Sequence, residues 1–151
     1  MHASLAAVAT QQAAKDSSSG WYNSDSLVFD APDLTTIKLG LNDMNTNVAV
    51  ADYKSALQSI VADAQKSGDV LMLFPTPSGG NYNNNVSAFN DAAKSVASAA
   101  GVPFFSLWEY YGPWTSAFGA RQADGVVHPN TALYAEIAGL VKSAIDSMVA
   151  A

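Results

Sequence analysis

The chain has 151 residues and a net charge of −6, with 49% hydrophobic and only 13% charged residues. That length and balance suit one globular domain over residues 1–151 and exclude a disordered chain. The acidic balance argues against nucleic acid and anionic membranes as partners, no apolar run nears the ~20 residues of a membrane span, and the lack of Cys excludes disulfides and thiolate metal sites.

Met1 to Leu5 carries no basic stretch, so no signal peptide is expected. Residues 3 to 15 are predicted as a weakly amphipathic helix with Leu5, Val8 and Gln12 on one side, ended by Asp16 to Gly20. Ala31-Pro32-Asp33 is a stop, because the residue before proline avoids the helical region. Thr35, Thr36, Ile37 and Leu39 predict a largely buried strand over 35–39. Lys38 inside it either snorkels or reports a strand face near water. Gly40 punctuates the run and Asn42-Asp43 follows as a polar turn. A polar pair just past a strand's carboxyl end stands where open α/β sheets bind ligands.

The apolar spacing of Val50, Tyr53, Leu57, Ile60, Val61 and Ala64 predicts a helix over 48–67. Residues 70–74 (V-L-M-L-F) are a continuous apolar run, as expected of a strand covered on both faces. Pro75-Thr76-Pro77 breaks it, and residues 78–85 (S-G-G-N-Y-N-N-N) read as a flexible polar loop. A third helix is predicted over 86–100, capped by Gly101. A strand is expected over 102–107, followed by an aromatic, irregular segment to Ala123. Asn130 is a suitable N-cap for a last helix over 131–149, whose buried stripe is Leu133, Ile137, Leu140, Ala144 and Met148. Strands alternating with helices imply parallel pairing and a three-layer α/β sandwich, thin at three strands.

The chemistry-bearing stretch is Asp124 to Asn130 (D-G-V-V-H-P-N). His128 stands just before a helix N-terminus, whose positive dipole end favours the neutral imidazole a general base must be. Asp124 is near enough in sequence to orient the ring. The plain alternative is a loop His with an Asp that supports a turn.

Together, two stretches resemble one family. Gly40-Leu41-Asn42-Asp43 resembles the G-x-N-D block of SGNH (GDSL) hydrolases, and Asp124 to Asn130 resembles their D-x-x-H block with its Pro-Asn. Ala31 to Leu34, Pro75 to Pro77 and Ala99 to Pro103 fit the same pattern in the same order, over roughly residues 30 to 149. The resemblance implies a flavodoxin-like α/β/α sandwich with a parallel sheet, and ester hydrolysis by a Ser-His-Asp triad. It gives Asn42 the oxyanion hole, His128 the base role and Asp124 the orienting role. It implies no cofactor. Two separated histidines and no Cys give no recognisable metal-ligand set.

Three departures stand out. The G-D-S block that carries the nucleophile is absent, so the serine is unidentified and the chain reads as the C-terminal portion of such a domain. Lys15-Asp16-Ser17 mimics that block superficially, which leaves Ser17, Ser18 and Ser19 as weak nucleophile candidates. The family's loop glycine, a backbone oxyanion donor, has only Gly20 as a match. Asp124 precedes His128 by four residues where the family has three, and Gly125 holds the usual acid position; a bulge would absorb the extra residue.

Trp108, Tyr110, Tyr111 and Trp114 could stack on sugar rings, or serve as core. The expected substrate is a carboxylic ester, an O-acetyl group on a polysaccharide. The alternative is a catalytically inactive carbohydrate-binding or structural module, for example of a phage tail or cell-surface protein, extracellular or virion-associated. A homo-oligomer, or a partner chain supplying the strand beside residues 35–39, is expected in either case, because an open sheet edge recruits a partner.

Overall fold

The computed structural model describes residues 32–150. The expected helix over 3–15, Ser17 to Ser19 and Gly20 lie outside the described residues. Strand β1 (Leu34–Lys38) is followed by the short helix α1 (Leu41–Asn45), helix α2 (Val50–Ala64) and strand β2 (Asp69–Phe74). A 3-10 turn (Gly80–Asn83) leads to α3 (Val86–Ala100), β3 (Phe104–Ser106), α4 (Leu107–Tyr111), α5 (Ser116–Gly119) and α6 (Thr131–Val149).

The three strands lie in the order β1-β2-β3, and both pairings are parallel. Ile37 stands opposite Met72, and Met72 opposite Phe104. Because side chains alternate along a strand, the register sorts them onto two faces. Ile37, Val70, Met72, Phe74 and Phe104 meet Tyr53, Leu57 and Val61 of α2 and Phe89, Ala93 and Val96 of α3. On the opposite face Phe105 packs with Leu107, Phe118, Leu133 and Ile137, so α6 covers that side. Strand β2 is therefore covered twice, which is why its sequence is apolar without alternation. Phe74 is fully buried, worth about 1.5–3 kcal/mol in transfer alone.

The open parallel α/β sheet is thus the expected one, with local differences. The polar turn after β1 is helical over Leu41–Asn45, and Asp43 lies in its first turn, where the dipole favours an anion. The third strand is shorter than expected. Pro103 has no N–H to offer, though its carbonyl accepts from Met72 N–H at 2.9 Å. Ser106 ends the strand by accepting the Glu109 N–H at 3.0 Å as the N-cap of α4. The stretch 78–85, read as a flexible loop, is instead packed at its start: Ser78 and Gly79 are buried, as are Pro75 to Pro77 before them, and a 3-10 turn follows. In α6, Asn130 accepts the Leu133 N–H at 3.0 Å as the predicted cap. Only Leu133 and Ile137 of its stripe are buried, with Leu140, Ala144 and Met148 half-buried.

Candidate active site

Asn42 sits in the first turn of α1, directly beyond the carboxyl end of β1, and its side chain is exposed. Gly40 makes this possible. It turns the chain at φ 116°, a conformation L side chains rarely adopt. A Cβ there would stand 3.2 Å from the Tyr53 hydroxyl. That hydroxyl, on a ring 1% exposed, donates to the Leu39 carbonyl at 3.3 Å and pins the turn from below. Burial first, and the neighbouring Asp43 charge second, push the Tyr53 phenol above its ordinary range. Asp43 and Met44 point into the protein, which leaves Asn42 on the outward side.

The Asp124–His128 loop is built by one carboxylate. Asp124 Oδ1 accepts the backbone N–H groups of Val126 at 2.9 Å, Val127 at 2.8 Å and His128 at 3.1 Å. Its Oδ2 lies 2.5 Å from His128 Nδ1. Within this turn Gly125 takes φ 74°, and the Asp124 carboxylate closes the loop around it. The Val127 and Val126 N–H bonds, then the His128 ring, hold the Asp124 carboxyl well below the usual range. The His128 side chain is 72% exposed, so its outer face is open to a ligand.

Both stretches lie on the carboxyl edge of the sheet. Strand β2 runs out into Pro75–Gly79, and Gly79 N–H donates to the Val126 carbonyl at 2.9 Å. The His128 loop therefore lies over the end of β2, one strand from the end of β1 where Asn42 begins. The 3-10 turn reaches back toward α1, with Asn84 Nδ2 donating to Asn47 Oδ1 at 3.1 Å.

No serine hydroxyl among the described residues bonds to His128. Ser78, next to the loop, is buried and donates to the Thr76 carbonyl at 3.2 Å. The aromatic residues divide: Trp108 packs against the α2–α3 core, while Tyr111 and Trp114 pack against the α6 core. Of these four, only Tyr110, 55% exposed, presents its ring to solvent. Among the described residues, no three His, Cys, Asp or Glu side chains converge as a metal ion would need.

Sequence reasoning missed Gln122. It is buried, with Nε2 donating to the Pro77 carbonyl at 3.0 Å and Oε1 accepting from Trp114 Nε1 at 3.1 Å. Its partner at Pro77 lies 45 residues away, so no local pattern marks it.

A model of the GDSL-like lipase/acylhydrolase family matches residues 6–136. Among solved structures, TesA is similar at 27% identity and TM-score 0.63, over 80% of this chain and 66% of its own. A lipase/acylhydrolase from Enterococcus faecalis shares the fold at 20% identity and TM-score 0.67, over 80% and 65%. So does a Lactobacillus plantarum protein, at 19% identity and TM-score 0.66, over 77% and 67%. The chain thus spans about two thirds of the length of these proteins. No curated protein matches the sequence at a significant level.

Proposed function

This chain belongs to the GDSL-like lipase/acylhydrolase family, and we propose that it supplies the base, the orienting acid and one oxyanion donor of an ester-hydrolysing site. The observation that carries this reading is the His128–Asp124 pair, held at 2.5 Å on the sheet edge that also presents Asn42.

In this reading a serine oxygen attacks the acyl carbon while His128 Nε2 takes its proton. Asp124 keeps the Nδ1–H directed inward and stabilises the imidazolium. The carbonyl oxygen becomes an oxyanion, and the Asn42 amide donates to it. Collapse of the tetrahedral intermediate expels the alcohol, which receives its proton from His128. Water, deprotonated by the same ring, then releases the acid from the acyl-serine. The sequence contains no G-D-S block, so we assign the serine to a strand that is not part of this sequence. It would pair with β1, supplied by a separate chain that carries the G-D-S strand; a second copy of this chain could cover the edge but brings no such serine. Among the described residues β1 pairs only with β2, and an unpaired edge recruits a strand.

The proposed substrate is an O-acetyl group on a polysaccharide. In support, the rim beside Asn42 is rich in amides: Asn45, Asn47, Asn81, Asn83 and Asn85. Residues 75–90 carry no charge. Of the large exposed hydrophobic side chains, only Val126 lies in the His128 loop; Tyr110, Tyr134 and Val149 lie on other segments among the described residues. Amides donate to and accept from sugar hydroxyls, whereas a long acyl chain calls for an apolar groove. The missing G-D-S block favours a second reading, a non-catalytic module that binds the same glycan.

The test mixes the chain with a polypeptide carrying a G-D-S strand and follows p-nitrophenyl acetate. The expected result is turnover that arises only on mixing and drops at least ~100-fold in His128→Ala. Turnover indifferent to His128→Ala overturns the hydrolase reading. No turnover, with retained binding of acetylated oligosaccharide, supports the module instead.

A further inference from the structure

We infer that Gln122 is a positioning residue that sets where the His128 base stands over the sheet edge; this deepens the hydrolase reading and rests on it. The Asp124 turn is local, since among the described residues its carboxylate bonds only to residues 126–128. Those bonds give the loop its shape. They say nothing of where the loop sits relative to Asn42, and that placement needs a contact reaching across the chain.

Gln122 lies at the neck of the loop. Ala123 N–H bonds to the His128 carbonyl at 2.6 Å, Asn130 N–H to the Arg121 carbonyl at 3.0 Å, and Gln122 bridges to Pro129. From this neck the Gln122 side chain, 5% exposed, reaches Pro77, and two residues on Gly79 N–H takes the Val126 carbonyl. The neck and the middle of the loop are thus fastened to alternate residues of the segment leaving β2. The amide's orientation is set by its partners: a carbonyl demands its N–H and an indole N–H demands its oxygen. Glutamate could serve the indole but not the carbonyl, and methionine serves neither.

Trp114 completes the fastening. A Cβ on Gly79 would come within 3.0 Å of its indole, and one on Gly119 within 2.9 Å. The ring is a wedge between the segment leaving β2 and the end of α5. Two glycines permit that approach, and the indole N–H is the group that orients Gln122.

Amide hydrogen exchange on the full chain tests this, with Gln122→Met, Gln122→Glu and Trp114→Phe. Catalysis is not needed for the readout, so a failed hydrolase reading and a failed positioning role are told apart. The expected result is a split. Exchange at the Gly79 N–H accelerates at least ~10-fold in the Gln122 variants, because its bond to the loop is released. Exchange at the Val127 N–H, held by Asp124, stays within about twofold. Trp114→Phe keeps the wedge but removes the indole donor, and gives a smaller acceleration at Gly79. It also carries the test should a Gln122 variant not fold. Where the mixed site turns over, Gln122→Glu lowers kcat and leaves KM alone. Unchanged Gly79 exchange overturns the inference. So does acceleration at Gly79 and Val127 alike, which is a loss of global stability.

Discussion

Asp124 grips His128 at two points: Oδ1 accepts its backbone N–H at 3.1 Å, and Oδ2 meets its ring Nδ1 at 2.5 Å. One residue thus both folds the loop and chooses the tautomer, and two substitutions separate these tasks. In Asp124→Asn the amide oxygen can still accept the three backbone N–H groups, but its NH2 faces the ring and forces Nδ1 to accept. We expect Asp124→Asn to melt close to wild type with the ring proton moved to Nε2, the wrong tautomer for a base. Asp124→Ala should lower Tm further than Asp124→Asn does. Ring 15N shifts check this, and a retained Nδ1–H in Asp124→Asn contradicts it.

The same carboxylate predicts a pH dependence. Its pKa in the folded chain is depressed, by the Val127 and Val126 N–H bonds before the ring contact. A depressed carboxyl contributes stability above its unfolded pKa and loses it only as pH falls through the lower folded value. An ordinary aspartate is about half protonated near pH 3.9. The Asp124 carboxyl 13C resonance should therefore show no inflection near pH 4. An inflection near pH 4 would mean the three N–H bonds are not made in solution.

Gly40 and Tyr53 should be coupled. At φ 116°, Gly40→Ala introduces backbone strain of about 1–3 kcal/mol, and its methyl meets the Tyr53 hydroxyl. Tyr53→Phe alone removes the bond to Leu39 and costs about 1 kcal/mol. It also opens space where the methyl would go, so the double variant should cost less than the sum of the singles. Urea melts of the four proteins measure this. Additive values would show that the hydroxyl does not press on the turn that presents Asn42.

Much of the fold was legible because its signals are local. The helix over 86–100 ends at Gly101, which takes φ 67° as a cap should, and the apolar run over 70–74 has the two-sided burial it implied. Asn42 stood out because it follows a strand, His128 because it precedes a helix, and Asp124 because it is close to His128 in sequence. Helix α1 was not legible, since five residues cannot show a 3.6-residue period. The buried state of Ser78 and Gly79 was not legible either. The polar stretch 78–85 that they open reads as mobile, and what packs against them and Pro77, Trp114 and Gln122, is some 35–45 residues away. The glycines there admit the indole and do not signal flexibility. Trp114, read as a possible sugar platform, is that wedge.

The most direct measurement is reaction of the 151-residue chain alone with a fluorophosphonate and, separately, with p-nitrophenyl acetate, alongside His128→Ala. The account places base, acid and amide donor in this chain and the serine outside it. It predicts that no serine is labelled and that ester hydrolysis stays within about tenfold of the His128→Ala rate. Turnover of about 1 s−1 or more, in the ordinary enzyme range, abolished by His128→Ala and accompanied by a label on Ser17, Ser18 or Ser19, would contradict it.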